Sequence, residues 1–134
     1  MRQFMTRFLA IVLVAVIGLA GCSNAGVSGK MTGNYKQDTL TVVEDLRTAI
    51  NVSPDDPEKG AAEVNARNII NDYFSYYRRD NAIDGLSSFA TLRTALNGLA
   101  GHYSSYPNRP IPEKLKKRLE QEFKQVEAAL KRGA

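Results

Sequence analysis

The chain has no tryptophan, one histidine and one cysteine in 134 residues, and these absences remove most catalytic chemistry before any motif is sought. A serine- or cysteine-type nucleophile needs a base held beside it, and His102 is the only imidazole. It lies between Gly101 and Tyr103 on an amphipathic stretch, where the ordinary reading is a partly buried or surface side chain. One cysteine makes neither an internal disulfide nor a zinc site. No phosphate-cradling glycine loop is present. Asp55, Asp56 and Glu58 would make a weak divalent-cation site, but a capped helix start already accounts for them. No enzyme, metal carrier or bound cofactor is expected. Sustained period-two alternation is also missing, which removes the signal of half-buried strands and points to an all-α fold.

The single cysteine is placed informatively. Arg2 and Arg7 form a basic n-region, Phe8 to Ala20 an apolar run, and Leu19-Ala20-Gly21-Cys22 ends it with small residues before the thiol. That order is a secretory leader ending in a bacterial lipobox. The run is about two thirds of the ~20 apolar residues that a membrane-spanning helix needs, which argues against an uncleaved anchor. Residues 1–21 are therefore expected to be a cleaved lipoprotein signal peptide, with Cys22 carrying a thioether-linked diacylglycerol and its new amino group a further acyl chain such as palmitate. Two chains hold a protein on a bilayer where one is marginal.

Removal of residues 1–21 from 134 leaves 113, enough for one domain with a modest core. The mature part loses Arg2 and Arg7 but no acidic residue, so the formal charge falls from +4 to +2. Export and this low charge speak against nucleic acid as a partner. Residues 22–33 are rich in Ser, Gly and Asn and read as a flexible tether from Cys22. Residues 34–134 form the domain.

Four helical segments follow. The first starts at Tyr35 or Thr39, capped by Asn34 or Asp38, and runs to Ile50 with Val43, Leu46 and Ile50 on one stripe. The second takes Asp56 as N-cap and Pro57 as first residue, extends to about Arg79, and shows a wide apolar face of Val64, Ile70, Tyr73, Phe74 and Tyr77. The third spans about Leu86 to Ser105, and its Gly98 and Gly101 suggest a place where a neighbouring helix comes close. The fourth begins at Pro112 and carries Leu115, Leu119, Phe123, Val126 and Leu130 until Gly133 ends it. Short joining segments predict antiparallel neighbours, hence an up-down-up-down antiparallel four-helix bundle.

On the fourth helix Glu113 with Lys117, Glu120 with Lys124 and Glu127 with Lys131 read as i,i+4 pairs of a solvated face. The run Tyr73 to Arg79 holds more aromatic side chains than one helical face can bury. Tyr76 points away from the Phe74 side, and Tyr76, Arg78 and Arg79 are candidate partner contacts, because exposed Tyr and Arg are enriched at interfaces.

These residues carry a resemblance. Thr32-Gly33-Asn34-Tyr35, Tyr77-Arg78-Arg79, Thr94-Ala95-Leu96-Asn97, and above all Arg109-Pro110-Ile111-Pro112-Glu113-Lys114-Leu115 resemble the small lumenal assembly lipoproteins of photosystem II, the "twenty-seven" subunit family, from Thr32 to about Arg132. The segments Asn51 to Pro57 and Asp80 to Gly85 follow the family pattern most loosely. The lipobox is similar to that of the cyanobacterial branch. The resemblance implies a non-catalytic four-helix bundle, monomeric when free, lipid-anchored on the lumenal side of the thylakoid membrane. It implies binding to photosystem II intermediates through the lumenal loop of a chlorophyll-binding inner antenna subunit, before the manganese-calcium-oxygen cluster is complete. Occupancy would keep extrinsic subunits from docking early, during biogenesis and repair. Arg78, Arg79, Arg93, Arg109 and Lys114 are the expected contacts, with Glu113 as a counter-charge; Arg109 has the alternative role of capping its turn. A structural or adaptor lipoprotein of the cell envelope is the alternative function.

Overall fold

A computed structural model describes residues 31–134. The expected leader, Cys22 and the tether up to residue 30 lie outside the described residues. Within them the chain is helical, in the order α1 (Tyr35–Ile50), α2 (Lys59–Tyr77), α3 (Asn81–Asp84), α4 (Ser87–Ser105) and α5 (Glu113–Lys131), with no strand among the described residues. α1 packs on α2 and α5, and α4 on α2 and α5, so each long helix touches two others around one core. Leu46, Tyr73, Phe89, Leu92, Leu96, Leu99 and Phe123 are fully buried there. Each such side chain contributes about 1.5–3 kcal/mol by leaving water.

The caps are local. The Asn34 side chain accepts from the Gln37 amide at 3.0 Å, which fixes Tyr35 as the first residue of α1. Asp38, the other cap considered, is fully buried instead. α2 starts at Lys59, because Asp56 closes a turn: its side chain accepts from the Glu58 amide at 2.8 Å and its carbonyl from the Lys59 amide. α2 ends at Tyr77, two residues before the expected Arg79, and the Asp80 side chain accepts from the Ala82 amide to start the one-turn α3. Gly133 closes α5 in the left-handed region at φ 74°, with the Ala134 amide returning to the Ala129 carbonyl.

Three packing expectations change. Val64 is 58% exposed, because the core face of α2 runs through Ala66, Ile69, Ile70, Tyr73 and Tyr77. A Cβ on Gly98 or Gly101 would meet nothing within 4 Å, so neither glycine admits a neighbouring helix. On α5, Glu120 and Glu127 turn to Arg47 of α1: its Nε donates to both Glu120 oxygens at 3.0 Å and its Nη2 to Glu127 at 2.7 Å. Glu113 lies 3.6 Å from Lys116, and Arg118 donates to Glu122 at 2.7 Å.

Candidate functional site

Two ends of the domain hold the side chains singled out by sequence. At the first, residues 31–33 are not free tether. Asp38, buried, accepts from the Thr32 amide at 2.9 Å, from the Thr32 hydroxyl at 2.8 Å and from the Gly33 amide at 3.1 Å. The Tyr77 hydroxyl, at the end of α2, donates to the same carboxylate. Burial by itself would raise the Asp38 pKa, but these donors prefer the charged form and together hold it below the ordinary carboxylate value. Burial, and then the same contact, push the Tyr77 phenol upward. Tyr35, Ser88 and the Ala134 carbonyl complete this end, with Tyr35 Oη 2.7 Å from Ser88 Oγ and Ser88 donating to Ala134 at 3.1 Å.

Tyr76, Arg78, Arg79 and Arg93 all lie at this tether end. Tyr76 is 52% exposed, and its hydroxyl sits 3.0 Å from the Cβ position of Gly33, over the chain as it enters the domain. Gly33, at φ 91°, leaves room for it. The Arg78 guanidinium rests 5.4 Å from the Phe74 ring centre, beside a shallow groove lined by Asn71, Phe74, Ser75, Arg78 and Arg79. Arg93 stands 5.7 Å from the Phe89 ring centre and 3.7 Å from Asp84. Both guanidinium groups are supported from below by aromatic faces.

Arg109, Glu113 and Lys114 occupy the opposite end. Its framework is Glu63, buried near the start of α2: Glu63 accepts from the Asn108 amide and from Arg67 at 3.1 Å each. Lys59 donates to the Asn108 carbonyl at 2.6 Å, and Arg67 also donates to the Tyr103 carbonyl. Asn108 takes φ 60°, a conformation that Asn tolerates better than most residues. Arg109 borders a cavity of about 30 Å³ with Ile50, Val52, Lys59, Glu63 and Tyr103, large enough for a single water. Burial and the Glu63 charge push the Tyr103 phenol up to about 12. Glu113 and Lys114 are exposed in the first turn of α5.

The two groups are a helix length apart. Tyr77 marks one end of α2 and Lys59 the other, and at ~1.5 Å per residue that is roughly 27 Å. The structure therefore gathers four of the seven expected contacts and separates the other three from them. Sequence reading missed the Asp38 clasp, where the only signal was a carboxylate in a position also suited to a cap. It missed the Arg47 cluster as well. His102 is 9% exposed, 5.5 Å from the Tyr106 ring, and its Nε2 has no hydrogen-bond partner among the described residues.

Comparison with known proteins gives a consistent picture. A family model described as Photosystem II Pbs27 matches residues 2–130. Photosystem II assembly factor lipoprotein Psb27 of Thermosynechococcus vestitus (strain NIES-2133 / IAM M-273 / BP-1) is 54% identical over 134 residues, 100% of this chain and 98% of that protein. Photosystem II lipoprotein Psb27 of Synechocystis sp. (strain ATCC 27184 / PCC 6803 / Kazusa) is 51% identical over 133 residues, 99% and 97% of the two chains. A solution structure of Psb27 from cyanobacterial photosystem II superposes with a TM-score of 0.74 at 56% identity, covering 78% of this chain and 90% of that one.

Proposed function

The chain belongs to the Photosystem II Pbs27 family, and from that premise we propose that it is a non-catalytic factor for the assembly and repair of photosystem II. The observation that carries this reading is the family match over residues 2–130, which takes in the expected leader and all but the last four residues of the domain. In this reading Cys22 bears the lipid anchor on the lumenal side of the thylakoid membrane, and the four long helices form an up-down-up-down antiparallel bundle, monomeric when free. The helix contacts and the short joining segments support that topology.

The mechanism is steric. The domain binds the lumenal loop of a chlorophyll-binding inner antenna subunit, before the manganese-calcium-oxygen cluster is complete, and keeps extrinsic subunits from docking early. The anchor confines the search for this partner to one membrane surface, which raises the effective concentration without any added contact. Arg109, Glu113 and Lys114 stand on the end remote from the tether and suit a loop that projects from the bilayer. Arg109 also closes its own turn, its amide donating to the Tyr106 carbonyl at 3.2 Å.

Competition on cluster-depleted photosystem II cores tests the mechanism. With the lipidated protein bound, added extrinsic subunits should fail to associate, and should associate once the protein is washed off. Equal association in both cases would rule out the blocking role.

A further inference from the structure

We propose that the tether end of the domain seats on anionic headgroups of the membrane that holds the anchor, through Arg78, Arg79 and Arg93; the inference rests on Cys22 being lipidated. The clasp is the first reason. Asp38 fixes Thr32 and Gly33 against the ends of α1 and α2, so the chain enters the described domain at this end. Met31 is nine positions from Cys22, and nine residues reach at most ~32 Å when fully extended. The anchor is thus attached through the end that carries the arginines, and that point of attachment favours this end as the one facing the bilayer.

Charge is the second reason. Neither Arg78 nor Arg79 has a carboxylate within 4 Å among the described residues, and the one pair here, Arg93 with Asp84, is long at 3.7 Å and exposed. Lys36 in the first turn of α1 and Arg132 after α5 add positive charge at the same end; Asp80, Asp84 and the buried Asp38 oppose it, with one Asp80 oxygen committed to the Ala82 amide and Asp38 to the clasp. A guanidinium matches a phosphodiester as a two-pronged donor, and the Phe74 and Phe89 rings support the Arg78 and Arg93 guanidinium groups. Tyr76, half-exposed beside them, has the apolar body and polar tip that suit a headgroup boundary. An acidic protein loop would also suit arginines, but the chain that leads to the anchor enters beside this surface, which favours lipid.

Hydrogen exchange on the full, natively lipidated chain in bilayer discs tests the proposal. In discs containing phosphatidylglycerol, amides of residues 73–86 should exchange several-fold more slowly than in discs of phosphatidylcholine alone. High salt and the R78E/R79E double variant should abolish the difference. Equal exchange in both lipids would overturn the proposal. Protection that appears only when photosystem II intermediates are added would also overturn it, and would assign the arginines to a protein partner. The mass of the Cys22 peptide reports the anchor separately. If Cys22 is unmodified the anchor reading fails on its own, and co-flotation of the chain with phosphatidylglycerol vesicles still judges the surface: R78E/R79E should bind roughly tenfold more weakly, and unchanged binding would refute it.

Discussion

Asp38 shows how one side chain joins the entering chain to the domain. It is fully buried and charged, and four donors from Thr32, Gly33 and Tyr77 compensate the loss of water. Asp38→Asn keeps the shape but removes the charge and presents an amide to those donors. A loss of about 2 kcal/mol in urea unfolding is expected, with faster amide exchange at residues 32 and 33. Because the folded pKa lies below the unfolded value near 3.8, the stabilisation is present above that pH and is lost as pH falls through the folded pKa. Wild type should therefore show an acid-dependent step below about pH 4 that the Asn variant lacks.

Arg47 is the second residue with a measurable role. Its fork reaches two glutamates of α5 and its guanidinium lies 5.8 Å from the Phe123 ring centre. These charge-assisted contacts push its pKa further upward, against the effect of burial. The groups are about one third exposed, so solvent screening limits the gain. Arg47→Ala is expected to cost about 1–2 kcal/mol in denaturant unfolding, and Arg47→Lys to recover only part of it because the bidentate geometry is lost.

At the scale of elements, the four long helices were legible because Pro, Gly and Asp punctuate runs with apolar residues three and four apart. Their exact limits were not. Asp56-Pro57 carries an N-terminal helix signature, yet the turn it closes delays α2 to Lys59. Asp80, a helix breaker in a long segment, is also a good cap, and it starts α3. Val64 shows the limit of reading a face from periodicity: one position is a 100° step, enough to turn an apolar side chain from core to solvent. The two glycines of α4 suggest packing sites by sequence because each costs helix stability, but the space above them is open. Gly98→Ala and Gly101→Ala should therefore each stabilise the domain by about 0.5–1 kcal/mol. That corresponds to a rise of several degrees in Tm by calorimetry, and a fall would mean that these positions are constrained by more than helix propensity.

At the scale of the whole molecule, sequence named surface residues but not how they are grouped. Tyr76, Arg78 and Arg79 are neighbours in the chain, and Arg93 joins them only because α3 turns α4 back along α2. Arg109, Glu113 and Lys114 are closer to Arg93 in sequence than Arg93 is to Thr32, yet they lie at the opposite end. That arrangement follows from tertiary packing and carries no local signal. The separation lets the proposal assign the two groups different neighbours, membrane for one and projecting loop for the other. Charge reversal at the far end, R109E/K114E, should leave the far-ultraviolet circular dichroism unchanged and reduce recovery of photosystem II subunits by roughly tenfold.

The most direct measurement is affinity purification of the tagged, natively lipidated protein from detergent-solubilised membranes, with its companions identified by mass spectrometry. Photosystem II core subunits together with the inner antenna, and without the extrinsic oxygen-evolving proteins, are the predicted result. Recovery of cell-envelope proteins with no photosystem would contradict the account and leave an adaptor lipoprotein of the envelope in its place.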